Sequence, residues 1–149
     1  MNDFETYLNS LFVDVFNKIL RYEELSLNSA LKVSVTVTET HMIDVIGKQN
    51  EKITVSEIAS TLGLSVPTVT VALQKLEKKG FITKTSSTDD ARRFLIGLTR
   101  SGQKIYKVHS LFHINMIEEI TQNLSDIEKE ALLSGVRKLN DFFGKKVKK

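Results

Sequence analysis

The segment from Thr54 to Gly80, TVSEIASTLGLSVPTVTVALQKLEKKG, limits what the chain can fold into more than any other stretch. Thr54 and Glu57 have the spacing of a capping box, in which the hydroxyl accepts from the backbone near Glu57 and the carboxylate reaches back to Thr54. Val55, Ile58, Ala59 and Leu62 then fall at i, i+3, i+4 and i+7, the buried stripe of a short helix. Gly63 follows where a left-handed helix end favours a residue without a Cβ. Ser65 caps the next helix, and Pro67, the only proline, falls in its first turn, where amides have no intrahelical partner. Two short helices around a tight turn are the grammar of a helix-turn-helix.

In the second helix Val66, Val69, Leu73 and Leu76 make one narrow apolar stripe. The opposite face carries Pro67, Thr68, Val71, Gln74, Lys75 and Lys78. Val71 is the unusual member, because a β-branched apolar residue gains nothing from solvent. One reading places it, with the Thr68 methyl, against thymine methyls in a major groove while Gln74 reaches a base edge. The other treats it as a stray surface valine, which is common. Ser65 and Thr70 complete the set of candidate DNA contacts on this helix.

Two strand-like runs follow, FITKT (Phe81 to Thr85) and FLIGL (Phe94 to Leu98), joined by the polar loop SSTDDARR. They predict a hairpin with a long tip, a wing. Asp90 can orient the Arg92 guanidinium toward phosphates or the minor groove, with Arg93 and Lys84 as further contacts. Alternatively Asp90 and Arg92 staple the loop to itself. The whole chain is only +3, with 21 basic and 18 acidic residues. Between Val66 and Lys107, however, nine Lys or Arg face three acidic residues, a local +6. Lysines 145, 146, 148 and 149 add four more positive charges, which leaves the rest of the chain acidic. A basic middle in an acidic frame favours oriented docking on phosphates and predicts strong salt dependence.

The remaining sequence reads as helix. Phe4, Leu8, Leu11, Phe12, Val15 and Ile19 recur at helical spacing over about five turns. A second helix is expected from about Thr38 to Ile46, ending at Gly47. Thr99 can cap a long helix reaching about Asn123, and Ser125 with Glu128 forms a capping box that opens the last helix. The expected fold is mainly α with a small β-hairpin wing, one chain over 1–149. Within it, a winged helix-turn-helix lobe spans 38–100, and helical dimerisation segments span 1–30 and 101–149. Phe4, Leu8, Leu11, Ile127, Leu132, Val136, Leu139 and Phe143 are the candidate dimerisation residues, pairing across a two-fold axis. The absence of cysteine excludes disulfides, thiolate metal sites and cysteine nucleophiles. The N-terminal run carries Asp3 and Glu5 and no long apolar stretch follows, so neither a secretory signal nor a membrane span is expected and the cytoplasm is the default location. There is no phosphate-binding glycine loop and no G-x-S-x-G, so no enzyme activity and no cofactor are expected.

The order of elements, together with LEKKGFI (Leu76 to Ile82), D-x-R at Asp90 and Arg92, and LT-x-x-G at Leu98, Thr99 and Gly102, resembles the MarR family of winged-helix regulators over essentially the whole chain. E-x-H-x-I-D-V-I-G (Glu39 to Gly47) and H-x-x-x-H (His109, His113) resemble its fatty-acid biosynthesis repressor subgroup. The family resemblance implies a homodimer on double-stranded DNA carrying a pseudo-palindromic operator, with the Ser65 to Lys78 helix in the major groove and the wing arginine in the minor groove. The subgroup resemblance implies a long acyl chain on acyl carrier protein as corepressor. Ala91 departs from relatives that often carry a basic residue there, which implies weaker wing affinity.

Phe12, Phe16, Ile19, Met42, Ile46, Val108 and Phe112 lie on helices that this fold brings together, as a seat for an acyl chain or as ordinary core. His109 and His113 stand at the i, i+4 spacing that lets two imidazoles share a metal, with Asp44 or Glu118 adding a carboxylate. Without cysteine or H-E-x-x-H, the expected reading is hydrogen-bonded structural histidines and no metal site. The alternatives are a regulator answering a small aromatic or lipophilic ligand, a histidine-based metal sensor, and a winged helix that binds another protein.

Overall fold

A computed structural model describes residues 2–49, 51–86 and 94–147. The chain divides into two compact units, residues 1–112 and 113–149. In the first, α1 (Asp3–Leu31) and α2 (Val37–Gly47) precede a short β1 (Ile53–Thr54). Then come α3 (Val55–Leu62), α4 (Val66–Lys78), β2 (Ile82–Ser86), β3 (Phe94–Leu98) and the start of α5 (Arg100–Thr121). The second unit holds the end of α5 and α6 (Asp126–Val147), which buries no residue within the single chain.

The predicted punctuation forms as chemistry demands. Thr54 and Glu57 make their capping box, Gly63 takes φ +64°, and Ser65 caps α4. Glu128 closes the second box on Ser125. The helices α3 and α4 turn through 112° across this break. The strands form a three-stranded antiparallel sheet in the order β1, β3, β2, with Ile53 opposite Ile96 and Ile82 opposite Leu98. β1 escapes prediction because two residues carry no periodicity. α1 is longer than the expected five turns because its later residues contain no Gly or Pro stop. It ends only at Lys32, held at φ 50°.

The core lies where α2 packs on α3, α4 and the sheet. It is built from Met42, Ile43, Ile46, Ile58, Val69, Leu76, Ile96 and Ile105, all buried. α5 is attached to it through the LT-x-x-G motif. The Thr99 hydroxyl donates to Gly80 O at 2.7 Å and accepts from Gly102 N at 3.1 Å, while Thr99 N donates to Phe81 O. Gly102 is required by close approach: a Cβ there would fall inside the Phe81 carbonyl, which is backbone and has no rotamer to yield.

A buried polar cluster fastens α1 to α2 and α5. Glu23 is 2% exposed, and its Oε1 accepts from His109 Nε2 at 3.0 Å and from His41 Nε2 at 3.3 Å. Asp44 Oδ1 lies 3.4 Å from His109 Nδ1. Burial by itself raises the Glu23 carboxyl, but the hydrogen bonds from His109 and His41, with their charge, outweigh it and bring it from 4.5 to about 2. The hydrogen bond to Glu23 chiefly raises His41. His109 is thus tied to Glu23 by a buried hydrogen bond. Among the described residues no single helix is long and apolar enough to cross a membrane.

Since the Glu23 carboxyl is lowered in the folded state, its contribution is complete above pH 4.5 and is lost as pH falls toward about 2. The urea midpoint should therefore drop across that window, and Glu23→Gln should flatten the drop. His41 contributes with the opposite sign, fully below its ordinary value of 6.5 and lost as pH rises through its raised value. Gly102→Ala should destabilise by about 2 kcal/mol through overpacking. Gly135→Ala in α6, where a Cβ meets nothing within 4 Å, should instead stabilise by about 0.5–1 kcal/mol in urea titrations.

Candidate nucleic-acid interface

The presentation of α4 follows from which side it buries. Val69 and Leu76 are 0% exposed and Leu73 is 6%, with Ala72 packed partly against the same core. That fixes the helix's rotation, and Pro67, Thr68, Val71, Gln74, Lys75 and Lys78 are all exposed together on the outer side. Val71 is 53% exposed with its methyls in solvent. The expected stripe needs one correction: Val66 is 46% exposed, because it occupies the first turn, beyond the edge of the core.

The hydroxyls near the helix start serve the backbone and each other. Ser65 Oγ accepts from Thr68 N at 3.3 Å and shares a 2.7 Å hydrogen bond with Thr68 Oγ1. Half-buried Thr70 donates to Val66 O at 2.8 Å, so its hydroxyl is engaged within the helix. On the hairpin, Lys84 is exposed and its Nζ stands 4.0 Å from the Phe94 ring centroid, a cation–π contact at the base of the wing. Asp90, Arg92 and Arg93 lie outside the described residues.

The seven candidate ligand residues divide by burial. Met42 and Ile46 belong to the core beneath α4. Phe12 is half-buried and stacks at 6.0 Å on Phe16, itself 58% exposed. Ile19 and Val108 are half-buried. Phe112 is buried against Tyr22, a partner at 5.2 Å that sequence reasoning did not name. A separate open cleft of about 620 Å³ lies between the end of α2, the sheet and α5, with Ile46, Leu98, Tyr106, Lys52 and Lys107 in its lining. Gly47 lets the Tyr106 ring lie directly on the α2 backbone. No single motif marks this cleft: Ile46 and Gly47 end one quoted motif and Leu98 opens another, and its residues meet only in the fold.

The candidate dimerisation residues are largely uncovered within one chain. Phe4, Leu8 and Leu11 are exposed on α1 of the first unit. In the second, Ile127, Leu132, Val136 and Phe143 are exposed on α6 and Leu139 is half-buried. His113 also stands in the second unit.

The MarR family profile matches residues 35–94. Among solved structures the chain is similar to FabT of Streptococcus pneumoniae in complex with DNA, at 32% identity and a TM-score of 0.88, covering 95% of this chain and 98% of that one. It is also similar to MepR of Staphylococcus aureus in its DNA complex, at 25% identity and a TM-score of 0.75, covering 89% and 96% of the two chains. The transcriptional regulator PchR of Bacillus subtilis is 27% identical over 145 residues, spanning 87% of this chain and 85% of PchR. With the family profile centred on the helix-turn-helix and a solved relative above 30% identity along nearly the full length of both chains, this chain belongs to the MarR family, whose members are DNA-binding transcriptional regulators and not enzymes.

Proposed function

We propose that the chain is a repressor that binds a pseudo-palindromic operator as a homodimer and controls fatty-acid synthesis genes, with a long acyl chain on acyl carrier protein tightening its hold on DNA. The observation that carries the DNA reading is the outer face of α4, where Thr68, Val71 and Gln74 stand exposed together on a helix whose rotation the core fixes. In a major groove Val71 packs on a thymine methyl, Gln74 offers an adenine edge its donor and acceptor, and Lys75, Lys78 and Lys84 meet phosphates. Arg92 takes the minor groove. A second copy covers the exposed apolar residues of α1 and α6, which solvent disfavours.

The regulon reading rests on the FabT similarity and on the Glu39 to Gly47 and His109/His113 motifs. The acyl chain is proposed to seat among Phe12, Phe16, Ile19, Val108 and Phe112, with Met42 and Ile46 behind them. The cleft at Tyr106 supports a second reading, a MarR-type regulator of another regulon that answers a small aromatic or lipophilic ligand. Its volume of about 620 Å³ is of the size such ligands fill.

Val71→Asp should lower affinity for specific DNA by roughly a hundred-fold or more, by removing the methyl contact and placing a carboxylate beside phosphates, with an unchanged melting temperature. Unchanged affinity removes Val71 from the interface. Electrophoretic shifts on the DNA upstream of the chain's own gene should tighten with long-chain acyl carrier protein and not with the unacylated carrier. Equal affinity with both removes the acyl reading and leaves the regulator. Affinity for duplex DNA that is flat with salt would instead favour a winged helix that binds protein.

A further inference from the structure

Lys79 belongs to the basic segment, yet its ammonium is turned onto α2 and the α1–α2 linker, while 33% of the side chain stays exposed. It sits at the C-terminal cap of α4 and donates to Glu39 Oε1 at 2.9 Å, Glu39 Oε2 at 2.7 Å and Ser34 O at 2.7 Å. Glu39 belongs to α2, and its side chain is 5% exposed. The same carboxylate accepts from Thr36 N at 2.9 Å in the α2 capping box, so the acceptor that Lys79 grips is already held in place. Ser34 O is held as well. Asn28 of α1 clamps the next residue on both sides, donating from Nδ2 to Val35 O at 3.0 Å and accepting from Val35 N at 2.9 Å.

The end of α4 is thereby tied to the first turn of α2 and to the α1–α2 linker by one cation. A helix whose inner stripe is narrow can still tilt or slide on its core, and a charge-assisted contact at its end removes that freedom. Removing the cation would leave a nearly buried carboxylate without its partner, so the helix end cannot shift cheaply. We propose that Lys79 is a positioning residue for DNA reading, acting through Glu39 and the Ser34 carbonyl to hold α4 at the angle that lets its outer face meet base edges. This rests on the reading of α4 as the recognition helix.

The test compares two duplexes, one selected from a random-sequence pool by the wild-type protein and a scrambled duplex of the same composition. Lys79→Met and Glu39→Gln, each confirmed folded by circular dichroism, should lower affinity for the selected duplex about ten-fold or more. Each should leave the scrambled duplex within about two-fold and the salt exponent unchanged. The double variant should be no worse than either single variant, and Lys79→Arg should keep most of the discrimination. If Lys79→Met weakens both duplexes equally and lowers the salt exponent by about one while Glu39→Gln is silent, Lys79 is a phosphate contact and the proposal is overturned. If both variants melt earlier but the ratio of the two affinities stays at the wild-type value, the pair is merely structural, which also overturns it. Val71→Asp run alongside separates the two ideas. Discrimination lost in Val71→Asp alone sinks the positioning role, and discrimination kept in all three sinks the reading of α4.

Discussion

Everything outward about α4 depends on the burial of Val69, Leu73 and Leu76 beneath it. These side chains lock against α2, α3 and the sheet, and removing one from a packed core costs several times the thermal energy. The rotation of the helix is therefore not free, and the residues on its far side are presented as a set. The lysines on that face add attraction to any polyanion. The specific base contacts we propose lie in the short row of Thr68, Val71 and Gln74, because methyl groups and amides distinguish base edges where charge does not.

α2 is the element through which the first unit is assembled. Its inner residues supply the centre of the core, its first turn receives Lys79 from α4, and His41 and Asp44 meet the Glu23 and His109 cluster from α1 and α5. Apolar packing sets the distances, while buried polar groups set the register, since a carboxylate in a dry interior tolerates few arrangements of its donors. The same helix thus touches both the helix-turn-helix and the long helices α1 and α5.

Legibility in the sequence tracked the range of the interaction. The capping boxes at Thr54/Glu57 and Ser125/Glu128, the Ser65 cap with Pro67, and the glycine stop at 63 were all readable, because each involves residues within four positions of one another. The box at Thr36 and Glu39 had the same signature and was missed, with the start of α2 placed one residue late. LT-x-x-G was recognised as a motif, but its physical reason, a helix backbone pressed on the Phe81 carbonyl, was not visible without the fold. Val66 was assigned to the buried stripe because periodicity carries no information about where the core ends.

Through periodicity, caps and breakers, the sequence by itself determined the helical class, the helix-turn-helix, the paired strands and, Val66 apart, the side of α4 that faces out, because these rest on local geometry and on the amphipathic pattern of each element. Tertiary structure alone decided that Glu23, His41 and His109 share one buried site, and that Ile46, Leu98 and Tyr106 border a cleft. It also decided that the Lys79 ammonium binds Glu39. Those pairings join residues up to 86 positions apart. Nothing in a local pattern ranks one distant partner above another until packing has brought them together.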